Sequence, residues 1–131
     1  MPSSENCIFC LKTNCKVIKT TNFFFIIRDT AYPVTKHHTL IITNRHVSSY
    51  FDLKKDEIKE LDELIKEQKR ELENLDNSIS GFNIGTNVGR DAGQSIMHCH
   101  IHLIPRRKGD MEDPTGGVRG VIPSKQKYKR K

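Results

Sequence analysis

The chain is 131 residues long, with 35% hydrophobic and 29% charged residues, proportions that are ordinary for a globular domain in water. This length accommodates one domain with its own core, and no apolar run approaches the roughly 20 residues of a membrane-spanning helix. The net charge of +6 lies mostly in the last seven residues, which carry Lys or Arg at five positions and no acid. We therefore predict a nearly neutral single domain over residues 1–124, not a basic nucleic-acid-binding domain, and a basic tail over residues 125–131.

The two ends of the chain bear on its partners and location. The basic tail could contact nucleic acid or another anion, but a frayed, solvated end is the commoner role of such a segment. We predict no membrane partner and no nucleic-acid partner. Residues 1–6 are polar and lack the basic and apolar regions of a secretory signal. The four cysteines are therefore predicted to be reduced, cytoplasmic and available to a metal ion.

The first part of the chain predicts a short motif followed by three strands. Residues 7–10, Cys-Ile-Phe-Cys, have the spacing of a metal-binding knuckle. Strands are predicted over residues 17–19, 23–28 and 39–43, which are rich in β-branched or aromatic residues. Residues 29–35 contain a proline and are predicted to form a connecting loop.

A single long helix is predicted over residues 51–76. Its apolar residues recur with a period of 3.6 and so share one face, while Lys and Glu fill the other. These apolar positions are Ile58, Leu61, Leu64, Ile65, Leu72 and Leu75. Asp52 is the predicted N-cap, and Asp56 and Glu57 suit the positive end of the helix dipole. Such a helix covers a sheet and carries no chemistry of its own.

After the helix, strands are predicted over residues 81–87 and 95–105, with a glycine-containing turn over residues 88–94 between them. Residues 106–123 have no regular pattern and include Pro-Thr-Gly-Gly. The chain shows no internal repeat and no second domain.

The second of these strands contains three histidines at alternate positions: His98, His100 and His102. Alternate side chains lie on one face of a strand, about 6.6 Å apart. The residues between and after them face the core: Cys99, Ile101 and Leu103. An affinity tag or a metal-scavenging tract is the alternative, but a tag does not interleave with apolar residues. Three imidazoles on one face can bind a metal, attack phosphorus or transfer a proton near neutral pH.

The Cys-x-x-Cys motif has three possible interpretations. Cys7 and Cys10 have the spacing of two structural zinc ligands, and His46 and His98 can complete a tetrahedral site. A thioredoxin-like redox pair fits poorly, because no strand precedes the motif. Two inert thiols are the third possibility. We predict a structural zinc site formed by these two cysteines and two histidines.

The turn before the histidines predicts an anion site. Its glycines permit a tight loop whose backbone N–H groups point at an anion. Asn87 and Ser95 add neutral donors, and Arg90 adds charge. An ordinary turn between strands is the alternative. The position of the turn, directly before three alternating histidines, favours a phosphate site.

These segments together resemble the histidine triad (HIT) family, whose signature is His-x-His-x-His-x-x with hydrophobic x. Residues 93–104 carry the signature, and residues 37–46 are similar to the family's nucleoside-side strand. Residues 7–10 are similar to the zinc-binding entry of bacterial-type members. Residues 110–123 are similar to a branch described as diadenosine polyphosphate hydrolase-like. The resemblance extends over roughly residues 7–128.

The resemblance implies a role for each histidine of the triad. The middle one, His100, matches the nucleophile, and His98 matches the zinc ligand of cysteine-bearing members. The implied catalytic residues are His100, His102, Gln94 and Ser95. The implied nucleotide-binding residues are Asp29, His38, Asn87, Gly93, Ser95 and His102, with Asp29 on the ribose. This chain departs from the family at His37, where glycine is usual, and in an interval from Asp29 to His38 that is a residue longer.

The resemblance also implies a fold, a partner and a reaction. The implied fold is α+β, with a roughly five-stranded antiparallel sheet, one long helix and one short helix, in a homodimer whose sheets join. The implied reaction is hydrolysis at the α-phosphate of nucleoside 5′-phosphate conjugates, with dinucleoside polyphosphates favoured, through a nucleotidyl-histidine. A nucleotidyl transferase or phosphorylase and a nucleotide-binding scaffold protein with weak turnover remain open.

Overall fold

The computed structural model describes residues 4–129. In chain order the helices and strands are α1 (Ile8–Leu11), β1 (Val17–Thr20), β2 (Phe24–Arg28), β3 (Thr39–Thr43), α2 (Lys55–Leu75), β4 (Ile79–Gly85) and β5 (His100–Arg107). Residues 1–3 of the polar start and residues 130–131 of the predicted basic tail lie outside the described residues.

The strands form one antiparallel sheet in the order β1-β2-β3-β5-β4. Helix α2 covers one face, and the core there contains Phe24, Ile26, Ile41, Leu61, Leu64, Cys99 and Ile101. The segment around α1 packs on the other face, with Cys7, Phe9, Phe25, Ile27, Leu40 and Ile42. Because both faces of β2 and β3 are covered, these strands are continuously apolar rather than alternating. The predicted α+β class and five-stranded sheet with one long and one short helix are confirmed.

Helix α2 begins later than predicted. Asp52 ends a separate 3-10 turn whose N-cap is Ser49, and the N-cap of α2 is Lys54. The prediction of Asp52 as the N-cap was therefore wrong. The Glu57 carboxylate accepts a hydrogen bond of 2.9 Å from the Lys54 backbone N–H and also pairs with Arg45 at 2.7 Å. These two contacts fix the start of the helix at Lys55, which the composition of the first turn alone did not show.

The apolar face of α2 is mostly as predicted, with Leu61, Leu64 and Leu72 buried. Leu75, the last residue of the helix, was predicted on this face but is 63% exposed. Gln68 is fully buried instead and accepts a hydrogen bond of 2.7 Å from Arg28 on β2. The half-buried guanidinium of Arg28 thus has a polar partner on an otherwise apolar helix face.

Strand β5 begins at His100 rather than at residue 95 and extends two residues further than predicted, to Arg107. Its pairing with β3 ends at His100 opposite Ile42. The preceding residue, Cys99, donates its N–H to the Val47 carbonyl at 2.6 Å, outside the sheet ladder. His98 therefore precedes the strand that contains the other two histidines. Cys99, Ile101 and Leu103 are buried as predicted.

The backbone at His37 has φ 72°. Glycine adopts this left-handed conformation freely, whereas for a residue with a side chain the conformation costs roughly 1–2 kcal/mol of folding free energy. The turn is held by two hydrogen bonds, from the His38 N–H to the Thr35 carbonyl at 3.1 Å and from Thr39 Oγ1 to the His37 carbonyl at 2.8 Å. It places His38 at the start of β3, so the strain lies directly beside a candidate site residue.

We expect His37→Gly to raise the free energy of unfolding by about 1 kcal/mol, because relief of left-handed strain exceeds the added freedom of the unfolded chain. Urea unfolding measures the change. Lys36→Gly is the matched control, since Lys36 does not have a positive φ, and it should lower stability by about 0.5–1 kcal/mol. A His37→Gly protein no more stable than wild type would contradict this reading of the turn.

Among residues 4–129, no helix combines the length and the apolar character needed to cross a membrane.

Candidate functional site

A cavity of about 700 Å³ lies on the sheet face opposite α2. It brings together all eight residues predicted for catalysis and nucleotide binding: Asp29, His38, Asn87, Gly93, Gln94, Ser95, His100 and His102. They come from the end of β2, the start of β3, the loop after β4 and the start of β5. The order of strands in the sheet therefore assembles one site from four separate segments.

A chain of hydrogen bonds fixes the proton positions on His38 and His102. The Val34 N–H donates to His38 Nδ1 at 3.0 Å, so the proton of a neutral His38 lies on Nε2. That Nε2–H donates to Nδ1 of His102 at 2.9 Å, which leaves the proton of His102 on its own Nε2. Burial, together with the neighbouring His100 and His38, lowers the pKa of His102 to about 4. His102 is therefore a neutral N–H donor near pH 7.

In His100 the proton lies on the other ring nitrogen, Nδ1. Its Nδ1–H donates to the His98 backbone carbonyl at 2.7 Å, so the lone pair lies on Nε2. Burial lowers the pKa of His100, which keeps this nitrogen unprotonated at neutral pH. The Phe9 ring lies edge-on, 5.1 Å from the imidazole centroid, and the His102 ring is 5.2 Å away. The cavity thus contains one nucleophilic nitrogen beside one N–H donor.

The loop between β4 and β5 is held by the Gln94 carboxamide. Gln94 Oε1 accepts from the Gly89 N–H at 2.9 Å, and Nε2 donates to the carbonyls of Ser48 at 2.7 Å and Ile96 at 3.1 Å. Gln94 is 5% exposed, so these bonds occupy both ends of its carboxamide. Gly93 has φ 95° at the end of a short 3-10 turn. The side chain of Gln94 shapes the loop from inside.

Three polar side chains at the cavity wall remain available to a ligand. Within residues 4–129, neither the Asn87 amide nor the Ser95 hydroxyl has a hydrogen-bond partner, although both line the cavity. Asp29 uses Oδ1 to accept from the N–H groups of Ala31 at 3.1 Å and Tyr32 at 3.0 Å. Its Oδ2 accepts no bond from the described residues. The site therefore offers two neutral donors near the histidines and one acceptor at the β2 end.

The four predicted metal ligands form one cluster beside this cavity. One ligand-capable atom from each of Cys7, Cys10, His46 and His98 lies within 4.8 Å of the others. Cys7 caps α1, and its sulfur accepts from the Cys10 N–H at 3.4 Å. His46 follows β3, and His98 precedes β5. The cluster joins the N-terminal segment to two central strands.

The distances in the cluster fit a tetrahedral ion. The two Nδ1 atoms of His46 and His98 are 3.2 Å apart. Cys10 Sγ lies 3.1 Å from His46 Nδ1, and Cys7 Sγ lies 3.3 Å from His98 Nδ1. Tetrahedral nitrogen and sulfur ligands of zinc stand about 3.3–3.8 Å apart, so the four ligand atoms are gathered at nearly this spacing, slightly closer together than around a bound ion. His98 Nε2–H donates to the Thr43 carbonyl at 2.7 Å, so the Nδ1 lone pair points into the cluster. In metal sites, the ring N–H of a histidine that does not face the metal usually makes a hydrogen bond of this kind.

Several cavity residues were not predicted from the sequence. They are Phe9, Tyr32, Val34, Leu40, Asn83, Arg106, Gly117, Val118, Gly120 and Val121, among others. A signal existed for Phe9, because it lies between two cysteines whose metal site includes His98. No local pattern indicates that residues 117–121 return to the cavity.

Comparisons of sequence and of structure with known proteins point to the same family. The HIT domain family model matches residues 11–109. An uncharacterised HIT-like protein of Methanocaldococcus jannaschii is 34% identical over 110 residues, which covers 81% of this chain and 83% of that protein. A solved structure described as a Zn-bound histidine triad family protein from Mycobacterium smegmatis has a TM-score of 0.75 and 28% identity, covering 85% of this chain and 82% of that one.

Two relatives carry the names of enzymes. Bis(5′-nucleosyl)-tetraphosphatase (asymmetrical) of Schizosaccharomyces pombe is 36% identical over 81 residues, which covers 62% of this chain and 44% of that protein. AP-4-A phosphorylase of Mycobacterium tuberculosis is 37% identical over 95 residues, which covers 70% of this chain and 48% of that protein. This chain spans about half the length of each enzyme.

Proposed function

This chain belongs to the HIT domain family, and we propose that it hydrolyses nucleoside 5′-phosphate conjugates at the α-phosphate, with dinucleoside polyphosphates as the favoured substrates. The observation that carries the proposal is the pair of ring nitrogens in one cavity. His100 offers a lone pair on Nε2 because Nδ1–H is bound to the His98 carbonyl. His102 offers an N–H because its Nδ1 accepts from His38. A nucleophile beside a donor is what in-line displacement at phosphorus requires.

In the proposed reaction, Nε2 of His100 attacks the α-phosphorus and an N–P bond forms. The P–O bond to the leaving group breaks, and the leaving nucleoside polyphosphate takes the bonding electron pair. The His98 carbonyl stabilises the charge that forms on the imidazole through Nδ1–H. Water then attacks phosphorus, the N–P bond breaks, and the nucleoside monophosphate leaves with a proton released to solvent. Two easier displacements replace one difficult displacement.

The other polar residues of the cavity have proposed roles that follow their contacts. Asn87, Ser95 and the Nε2–H of His102 donate to phosphate oxygens as charge develops. Gln94 is a positioning residue, since both ends of its carboxamide bind loop backbone. Asp29 accepts from the ribose hydroxyls through Oδ2.

The metal proposed for the Cys7–Cys10–His46–His98 cluster is zinc. Four protein ligands complete its tetrahedral coordination and mark a structural site, and the zinc-bound relative from M. smegmatis supports this choice. When bound, the ion supplies a cross-link between the N-terminal segment and the sheet. Phe9, between the two cysteines, is thereby held against the His100 ring.

Removing a loop donor should slow the reaction without unfolding the protein. Ser95→Ala and Asn87→Ala are each expected to lower kcat by up to about 10²-fold, because each removes a donor that acts on the transition state. Steady-state rates at saturating diadenosine tetraphosphate measure this. Ser80→Ala, an exposed serine on β4, is the control and should match wild type. If both loop variants also matched wild type, the loop would be a structural turn only.

The hydrogen-bonded pair of His38 and His102 should make stability depend on pH. The pKa of His102 is about 4 in the folded chain against about 6.5 unfolded, so between these values the unfolded chain binds more protons. Stability therefore falls as pH drops from about 6.5 to 4. We expect His102→Gln to reduce the pH dependence of the free energy of unfolding by the equivalent of about one bound proton. Urea unfolding between pH 4 and pH 7 measures this dependence. An identical pH dependence for the variant and wild type would contradict the conclusion that His102 is neutral in the folded chain.

Product analysis separates hydrolysis from its main alternative. With diadenosine tetraphosphate and no inorganic phosphate, we expect AMP and ATP. Transfer of the nucleotide to phosphate would instead give ADP and ATP only when phosphate is present, and the relative named AP-4-A phosphorylase makes this the second candidate. Binding of the substrate without any product would exclude both reactions and leave the nucleotide-binding scaffold.

A further inference from the structure

The catalytic cavity has a second end, built by a turn near the end of the described residues. Gly117, Val118, Gly120 and Val121 line the cavity and belong to the 3-10 turn Gly117–Val121. This turn lies against Asn83 on β4, whereas Asp29 follows β2. Strands β3 and β5 lie between β2 and β4, so the two ends are separated by three strand spacings, about 14 Å. His100 and His102 lie on β5, between the two ends.

The turn is fixed in place by close packing at two glycines. Gly116 has φ 89°, and a Cβ there would lie 1.8 Å from the Gln126 carbonyl oxygen. A Cβ on Gly117 would lie 3.2 Å from Nδ2 of Asn83. Gln126 also donates from Nε2 to the Thr115 carbonyl at 3.3 Å. The backbone of the turn is therefore held between β4 and the residues that follow it.

The surface that the turn presents is apolar, with one amide beside it. Val118 is 63% exposed and Val121 is 77% exposed, although both line the cavity. Asn83 accepts from Arg106 at 2.7 Å through Oδ1, and its Nδ2 has no acceptor within residues 4–129. Exposed valines beside a free amide donor suit a planar, mostly apolar group with polar edges, as a nucleobase is.

From these features, and resting on the proposed transfer of the nucleotide to His100, we infer that Val118 and Val121 form a leaving-group subsite that selects leaving groups carrying a second nucleoside. The transferred nucleoside occupies the Asp29 end, so the rest of the substrate extends past His100 towards the turn. A small leaving group such as ammonia does not reach the two valines. The subsite thus favours dinucleoside polyphosphates over nucleoside phosphoramidates.

The test compares two substrates that differ in the leaving group alone. Val118→Ser/Val121→Ser is expected to lower kcat/KM for diadenosine tetraphosphate about tenfold, because apolar contacts of this size discriminate by roughly that factor. The rate with adenosine 5′-phosphoramidate should change less than about twofold. Ile122→Ser is the matched control, since Ile122 is 59% exposed but does not line the cavity, and it should leave both rates unchanged.

Equal losses with both substrates, or no loss with either, would overturn the subsite. Binding by calorimetry distinguishes this failure from failure of the proposed reaction. If wild type turned over neither substrate, the hydrolase proposal would fail. The subsite would still be supported if the double variant bound a non-hydrolysable diadenosine tetraphosphate analogue about tenfold more weakly but bound AMP as wild type does. Unchanged affinity for the analogue would overturn it.

Discussion

His100→Ala is expected to reduce kcat for diadenosine tetraphosphate by about 10⁴-fold or more, because loss of a covalent nucleophile removes the whole two-step path. His102→Ala should cost less, about 10²-fold, since it removes one donor to the phosphate. The hydrogen bonds separate the two roles: His100 holds its proton on the side of the His98 carbonyl, whereas His102 holds its proton towards the cavity. Single-turnover kinetics measure the chemical step directly.

Two controls accompany the His100 variant. His37→Ala replaces a histidine that does not line the cavity and should retain the wild-type rate. AMP binding by the His100→Ala protein should stay within a few-fold of wild type, because the proposed ribose and phosphate contacts remain. Near-normal turnover by His100→Ala would overturn the mechanism, and loss of AMP binding would show that the variant had disturbed the cavity as a whole.

Cys10→Ser is expected to lower the zinc content from one ion per chain to less than about a tenth and the free energy of unfolding by about 3 kcal/mol or more, because metal binding contributes directly to folding. The loss should also slow turnover, since Phe9 is no longer held at 5.1 Å from His100. Elemental analysis and urea unfolding of protein purified without chelators measure the first two effects.

Cys15→Ser is the matched control for the metal site. Cys15 is a free cysteine outside the four-residue cluster, so its variant should retain zinc and stability. A Cys10→Ser protein with a full complement of zinc, or wild type with almost none, would contradict the structural site.

The sequence predicted the sheet well because its strands have strong local patterns. The alternation of residues 98–103 correctly placed Cys99, Ile101 and Leu103 in the core. It also placed His98 in the strand, which was wrong, because the Cys99 N–H leaves the ladder to bond Val47. Asp52 was likewise a reasonable N-cap by residue type, but the reach of Glu57 back to the Lys54 N–H fixed the helix start. A long-range hydrogen bond set the strand boundary, and a contact between a side chain and a nearby backbone N–H set the helix boundary.

The chemistry of the site could be predicted only in part. Residue types and spacing indicated which residues gather, but not which ring nitrogen carries a proton. That depends on the Val34 N–H, in a loop distant in sequence from His102, and on one backbone carbonyl. The return of the Gly117–Val121 turn to the cavity depends on Gln126 and Asn83, and no periodic pattern records such contacts. The homodimer, the cytoplasmic location and the boundary between residues 124 and 125 stay predictions.

The central claim, that the nucleotide is transferred to His100, is tested most directly by trapping the intermediate. Wild-type protein is mixed with excess diadenosine tetraphosphate, quenched within one turnover and digested, and the peptides are mapped by mass spectrometry. We expect an adenylyl group on His100, formed and lost at rates consistent with kcat, and no adduct in the His100→Ala protein. An adduct on His102, or turnover at the wild-type rate without any histidine adduct, would contradict the mechanism.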